Sequence, residues 1–414
     1  MRRDLLLPVA LGLALASTPG LCAAADLLHL SIGDPARKGR DVRLVVDGIT
    51  ETTTGQTMTP AEVAARLASV RVVFIGESHT SIDFHRAQKR ILEELSKTGR
   101  QVLVGLEMYP YTEQRFLDQW NDGQLTEDGF VTQSHWYRNW GYNWLYYRDI
   151  FLFVRDRGIR MFAVNTPREV VAAVRKKGLT NLTPEEAAHI PAKVDTDSAE
   201  HRELFKAFFA EEQGGIHAPS MTEAQWDGMF AAQCTWDATM GYNSVQALKK
   251  YGGDAAIMVV LIGSGHVAYG LGIQRQAAHW FDGKMASIIP IPVVDEKRKA
   301  VETVRASYAD FVWGLPAETD PLYPALGVSV REGTAGGLEI IELEKDSVGA
   351  AAGLRQGDVL LSMDGTPLTD RETLNRLMAG KRWADVAAVT VRREGQTVAL
   401  TVELRRRQAL GSRR

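Results

Sequence analysis

The chain has 414 residues, a formal net charge of −3, 45% hydrophobic and 24% charged residues. That balance belongs to ordinary globular domains, two or three at this length. It argues against a general nucleic-acid binder, which would be basic, so no nucleic-acid partner is expected.

Arg2 and Arg3 precede an apolar run over 5–16, Pro19 and Gly20 break it, and Ala23-Ala24-Ala25 offers a cleavage site. This is a secretory signal, 1–25, too short to span a membrane. The paired arginines also permit twin-arginine export. Leu21 is too bulky for a lipobox before Cys22, so no lipoprotein anchor is expected and the mature chain is periplasmic or secreted. Cys234 then stays as the only thiol, which rules out an intrachain disulfide. Residues 26–59 read as a β-rich extension. Thr59 and Pro60 mark a helix start.

Val72-Val73-Phe74-Ile75 is a short apolar run ended by Gly76, the pattern of a buried parallel strand. Glu77 and His79 follow it. A helix is expected over 82–96, with Ile91, Leu92 and Leu95 inward and Gly99 closing it. A second strand, 101–106, ends in Glu107 and leads into Met108-Tyr109-Pro110-Tyr111. An aromatic-rich stretch carries Trp136, Tyr137, Trp140, Tyr142, Trp144 and Tyr147, where the Trp140/Trp144 spacing is that of a packed helix face. A third strand covers 159–164 and ends at Asn165. The span 167–250 is helical in pattern apart from Gly214-Gly215. A fourth strand, 256–262, runs into Gly263-Ser264-Gly265-His266. The stretch 287–292 reads as an edge strand because of Pro290 and Pro292. Strands alternating with helices imply an α/β domain over 60–316, a mostly parallel sheet flanked by helices. A linker, 317–322, a small β-rich domain, 323–404, and a basic tail, 405–414, complete the chain.

In open α/β sheets the ligand crevice lies beyond the carboxyl ends of the strands. Glu77, His79, Glu107 and His266 all stand at such ends and are expected to converge on one pocket. Two carboxylates and two imidazoles can handle protons or orient a water. His79, Glu107 and His266 could instead hold a divalent metal. His85, on the helix after Glu77, could support the same pocket.

Gly76-Glu77-Ser78-His79, His85, Gln88 and Gly105-Leu106-Glu107-Met108 resemble the ChaN-like haem-binding uptake family, related to Tiki and erythromycin-esterase-like proteins. The resemblance continues, in matching order, through the residues from Trp140 to Tyr147, Asn165-Thr166-Pro167-Arg168, the run from Gln233 to Met240, and Gly263 to Val267. It implies haem as cofactor and a role in envelope iron acquisition. Haem iron needs an axial ligand and an apolar pocket. Tyr109 and Tyr111 are the ligand candidates, with His85, Trp140, Tyr142 and Trp144 as further haem-facing residues. The wider relatives imply the alternative, a metal-assisted hydrolase or peptidase using His79, Glu107 and His266.

Residues 323–404 resemble a PDZ domain of the bacterial protease-associated type, carried by Leu326-Gly327-Val328, the run from Asp346 to Leu360, and Asp364-Gly365. The resemblance implies binding of the C-terminal peptides of other envelope proteins. Leu326, Gly327 and Val328 would hold the carboxylate, and Leu374 and Leu377 would line the pocket. A homodimer is left open.

Overall fold

The computed structural model describes residues 27–212, 221–294, 299–317, 321–333 and 336–406. The expected signal segment and most of the basic tail lie outside them. The chain forms two compact units. The first holds the described residues up to Ser134 and those from Leu145 to 317; the second joins His135–Trp144 to the residues from 321 onward.

The first unit is built on an eight-stranded sheet. Its strands are β1 (Ile49–Glu51), β2 (Thr57–Met58), β3 (Val72–Glu77), β4 (Val102–Pro110), β5 (Arg160–Asn165), β6 (Ile257–Gly263), β7 (Met285–Pro292) and β8 (Phe311–Leu315). They lie in the order β2-β1-β8-β7-β3-β6-β4-β5. From β8 to β5 every pairing is parallel, and β1 joins β8 and β2 antiparallel. The expected parallel α/β sheet is present, with the N-terminal extension added as its edge.

Helices cover the sheet for reasons visible in the sequence. In α1 (Pro60–Arg66) the Thr59 side chain caps the Glu62 amide, and Glu62 returns the bond to the Thr59 amide. In α2 (Ile82–Ser96) Phe84, Ala87, Ile91, Leu92 and Leu95 are buried at helical spacing against strands whose own Val72, Val73, Phe74 and Ile75 are fully buried. The long helix α3 (Glu223–Tyr251) packs across the sheet near β5 and β6. A single turn, α4 (Ser264–Val267), follows β6 directly.

Three elements differ from expectation. The strand expected to stop before Glu107 continues to Pro110, its pairing with β5 shifting between Leu106 and Pro110. Met108 and Tyr109 are buried there, which keeps the chain on the sheet. The proline-bearing strand β7 is internal, between β3 and β8, and not an edge. It pairs with β3 only over Met285–Ile288, so Pro290 and Pro292 fall past that ladder. Being two residues apart, they turn their missing donors to one side, where no bond is lost. Finally, Trp140 and Trp144 do not share a helix: Trp136–Asn139 is one short helix and Trp144–Tyr146 a separate turn.

The second unit is an antiparallel sheet of β9 (Val328–Glu332), β10 (Leu338–Leu343), β11 (Val359–Met363), β12 (Val386–Arg393) and β13 (Gln396–Glu403), paired in that order. Thr366–Pro367 adds a short pairing to β11. Its helix α5 (Arg371–Ala379) starts at Asp370, whose carboxylate accepts the Thr373 amide at 2.8 Å. Leu338, Ile340, Leu360, Met363, Leu374, Val389, Val391 and Val402 form its core.

Candidate functional site

Sheet order decides what meets at the carboxyl edge. β6 lies between β3 and β4, and Glu77 stands in register with Gly263. Glu77 and Glu107 therefore flank the end of β6, where α4 begins and carries His266.

On the β3 side, His79 Nδ1 lies 2.8 Å from Glu77 Oε1, and the Tyr147 hydroxyl donates to the same oxygen at 2.7 Å. His85 Nε2 approaches Glu77 Oε2 at 3.4 Å, its ring 4.2 Å from that of Tyr147. On the β4 side, the Gly263 amide donates to Glu107 Oε2 at 2.6 Å. His266 Nε2 lies 3.4 Å from Glu107 Oε1, and its Nδ1 lies 2.6 Å from Asp237 Oδ1. Gln233 touches the same imidazole at 2.9 Å, and His201 Nε2 stands 3.6 Å from Asp237 Oδ2.

The two halves close on one backbone position. A Cβ on Gly263 would lie 3.2 Å from His79 Cε1 and 3.6 Å from Glu107 Oε2. Glycine here lets the carboxylate accept the amide while the imidazole packs above it. All of these carboxylates and imidazoles are buried.

Burial alone would push the Glu77 carboxyl up, but His85 and His79 overcome it and hold the group well below the usual carboxylate range. Glu107 is likewise raised by burial and lowered further by His266, His79 and the Gly263 amide, with a net shift downward. His266 shows the reverse balance. Burial disfavours its charge, yet Asp237 and Glu107 raise its pKa to about 10, so it is an imidazolium at neutral pH. His201, one step deeper, is lowered by burial to about 4 and is neutral.

The structure thus brings together Glu77, His79, His85, Glu107 and His266. Among the described residues, no three His, Cys, Asp or Glu side chains take up a metal-ligating arrangement. His79 is paired with Glu77, and His266 with both Glu107 and Asp237.

The other candidates lie elsewhere. Tyr109 is fully buried, its hydroxyl 2.6 Å from Ser134 Oγ. Tyr111, just past β4, is half-buried, its hydroxyl 2.6 Å from His189 Nδ1, and burial raises its pKa. Trp140, Tyr142 and Trp144 belong to the second unit. There Leu326 is buried, and Gly327 sits at φ +71° so tightly against Ser347 that no Cβ would fit. Val328 opens β9. Leu374 lies in the core and Leu377 packs on it from outside.

Sequence reading missed Asp237, Tyr147 as a partner of Glu77, His201 and His189. Asp237 carried a usable signal. A carboxylate in mid-helix, between apolar Trp236 and Ala238 and one turn from Gln233, has to be buried with a partner.

Parallel strands carrying this acid and imidazole cluster, followed by a separate antiparallel sheet with one helix, define a two-module α/β protein. The sequence model described as "Haem-binding uptake, Tiki superfamily, ChaN" matches residues 63–276, a little over half of the chain, and the chain belongs to that family. A PDZ domain model matches 324–404.

Among solved structures, ChaN of Campylobacter jejuni, described with cofacial haem, covers 64% of this chain and 95% of its own. The TM-score is 0.50 at 17% identity, a likeness of fold alone. The Arabidopsis thaliana protein RETICULATA-RELATED 5, chloroplastic, is 25% identical over 266 residues, 60% of this chain and 34% of its own length. A probable periplasmic serine endoprotease, DegP-like, of Rhizobium meliloti (strain 1021) is 29% identical over 90 residues, 22% of this chain. The match takes in 18% of that protein, so the chain spans only a minor part of either curated relative.

Proposed function

We propose that this is an exported haem-binding protein of iron acquisition whose PDZ domain captures the C-terminal peptides of envelope proteins. Family membership carries the haem reading. Within the chain, the Tyr111 and His189 pair supports it: a half-buried phenol with an imidazole nitrogen at 2.6 Å has a base at hand for its proton. A phenolate is an established haem-iron ligand. Tyr111 would hold the iron, with His189 holding its hydroxyl in place. Tyr109, enclosed and bonded to Ser134, fits that role poorly. The test is a haem titration followed by absorption. The wild type and Tyr109→Phe should develop the same Soret band, and Tyr111→Phe should shift or lose it. A protein that takes up no haem sinks the reading. In the described residues no helix is long and apolar enough to cross a membrane. Export is tested by the N-terminal sequence of the mature protein, expected at Asp26.

A second reading has its own observation, the meeting of two carboxylate-imidazole pairs at Gly263. His79, oriented by Glu77, could accept a proton, while the His266 imidazolium, held by Asp237, could stabilise negative charge on an oxygen. Together they would form the acid-base core of a hydrolase. Glu77→Gln, His79→Ala, Glu107→Gln and His266→Ala should each remove turnover of a peptide or ester probe, typically by about 10²–10⁴-fold for a lost acid or base. Unchanged turnover in His79→Ala would end it.

A further inference from the structure

The second unit contains a segment that its own sheet does not need. β9 is the end strand, bonded to β10 on one side. A peptide joining a PDZ sheet pairs with such a free edge and lies between it and the helix, here α5, which packs beside β9. Arg371, the first residue of α5, is within electrostatic reach of the end of β9. Burial lowers its guanidinium, against the opposing pull of Glu332 at the end of β9 and of Tyr142. Asn375, four residues on, shares its side of the helix.

That side is already taken. Asn375 Nδ2 donates to the Tyr137 carbonyl at 3.1 Å, and Asn143 Nδ2 donates to the Ala379 carbonyl at 3.2 Å. His135 Nδ1 lies 3.2 Å from Glu372 Oε1. Gly141, at φ +91°, passes so close that a Cβ would stand 3.1 Å from Asn375 Nδ2. The segment is also braced internally. Trp136 Nε1 donates to the Tyr142 carbonyl at 2.7 Å, and the Trp136 and Trp144 rings meet edge-on at 4.9 Å.

We propose that His135–Trp144 is a built-in occupant of the peptide groove, which an incoming C-terminal peptide must displace from α5. The proposal rests on the reading of this domain as a peptide binder. Its ties to α5 include half-buried polar contacts, of a kind that an incoming peptide can exchange. Peptide binding and docking of the segment are then linked, each weakening the other by the same factor.

The experiment uses the full chain and a fluorescent pool of peptides of about ten residues ending in Val, Leu or Phe with a free carboxylate, peptides long enough to span a groove of this kind. Gly141→Val should force the segment off, and Asn143→Ala should loosen it without a steric change. Both should bind the pool more tightly than the wild type, about 5- to 150-fold for a coupling of ordinary size. In the wild type, saturating peptide should speed hydrogen exchange over 135–144. Equal affinity in all three proteins, with exchange unchanged by bound peptide, overturns the proposal and leaves the peptide-binding reading standing. Failure of all three to bind any peptide overturns that reading and this inference with it.

Discussion

Asp237→Asn tests the electrostatics of the strand-edge cluster most directly. Asp237 is fully buried, with His266 Nδ1 at 2.6 Å and His201 Nε2 at 3.6 Å. The amide keeps the shape and can still accept one proton from His266, but it removes the charge. Removing one partner of a buried ion pair costs about 3–5 kcal/mol, and one retained hydrogen bond returns about 0.5–1.5, so the loss near neutral pH should be about 1.5–4.5 kcal/mol. The sign with pH is distinctive. The folded pKa of His266 is raised from 6.5 to about 10, so the stability its charge provides is complete below pH 6.5 and is lost as pH rises towards 10. The deficit of Asp237→Asn should therefore be largest at pH 6 and shrink steadily by pH 9. Urea denaturation of both proteins across that range measures it. A deficit that does not change with pH would show that His266 is not charged in the folded protein, and the assignment of Asp237 and Glu107 as its counter-ions would fall.

Other perturbations have equally definite outcomes. Gly76→Ala would place a Cβ 2.7 Å from Ser264 Oγ and 3.2 Å from Ser264 Cα. It should cost about 1–3 kcal/mol as overpacking, read as a lower melting temperature. Glu77 and Glu107 are depressed below their ordinary 4.5, so their stabilisation is present above that pH and lost as pH falls through the lowered values. Glu77→Gln should flatten the acid limb of the stability curve. In the second unit, the Arg393 guanidinium grips the buried Asp358 carboxylate with two bonds at 2.7 Å. Asp358→Asn should cost about 1.5–3 kcal/mol, the worth of a hydrogen bond to a charged group, and should leave the haem spectrum unchanged.

Much of this was legible because strand ends are written in apolar runs. Val72 to Ile75 and Ile257 to Ile262 are uninterrupted, and Glu77 and His266, which line the carboxyl edge, follow shortly after them. What could not be read was order across the sheet. β8, Phe311–Leu315, went unread as a strand within 60–316, and it is an internal strand paired with both β1 and β7. With β8 outside β7, the prolines of β7 cease to mark an edge. The aromatic stretch misled for a related reason. Tryptophans four apart fit a helix face equally well as they fit two short turns, and only the positive φ of His135 and Gly141 separates the cases. Asp237 was passed over because its partners, His266 and His201, lie far from it in sequence.

The cluster is also an argument about purpose. Glu77, Glu107 and Asp237 sit in an apolar interior, where a buried ion pair typically gains less than well-packed apolar side chains of the same volume would. A sheet built for stability alone would replace them. Two of their oxygens, Glu77 Oε2 and Asp237 Oδ2, reach imidazoles only at 3.4 and 3.6 Å, short of a good hydrogen bond. Under-satisfied carboxylates beside a fixed imidazolium form a poised arrangement, and such local inconsistency with the fold tends to mark functional positions. The Tyr111 and His189 pair is a different kind of site: half-buried and reachable without unpacking the sheet. A haem that binds there need not disturb the buried charges. Haem affinity and the pH dependence of Asp237→Asn should therefore vary independently, and a variant such as Glu77→Gln that loses acid-limb stability should keep its Soret band. If instead each loss in the buried array brought a matching loss of haem, the two would be one site, and the assignment of Tyr111 as the iron ligand would have to give way to His79 or His266.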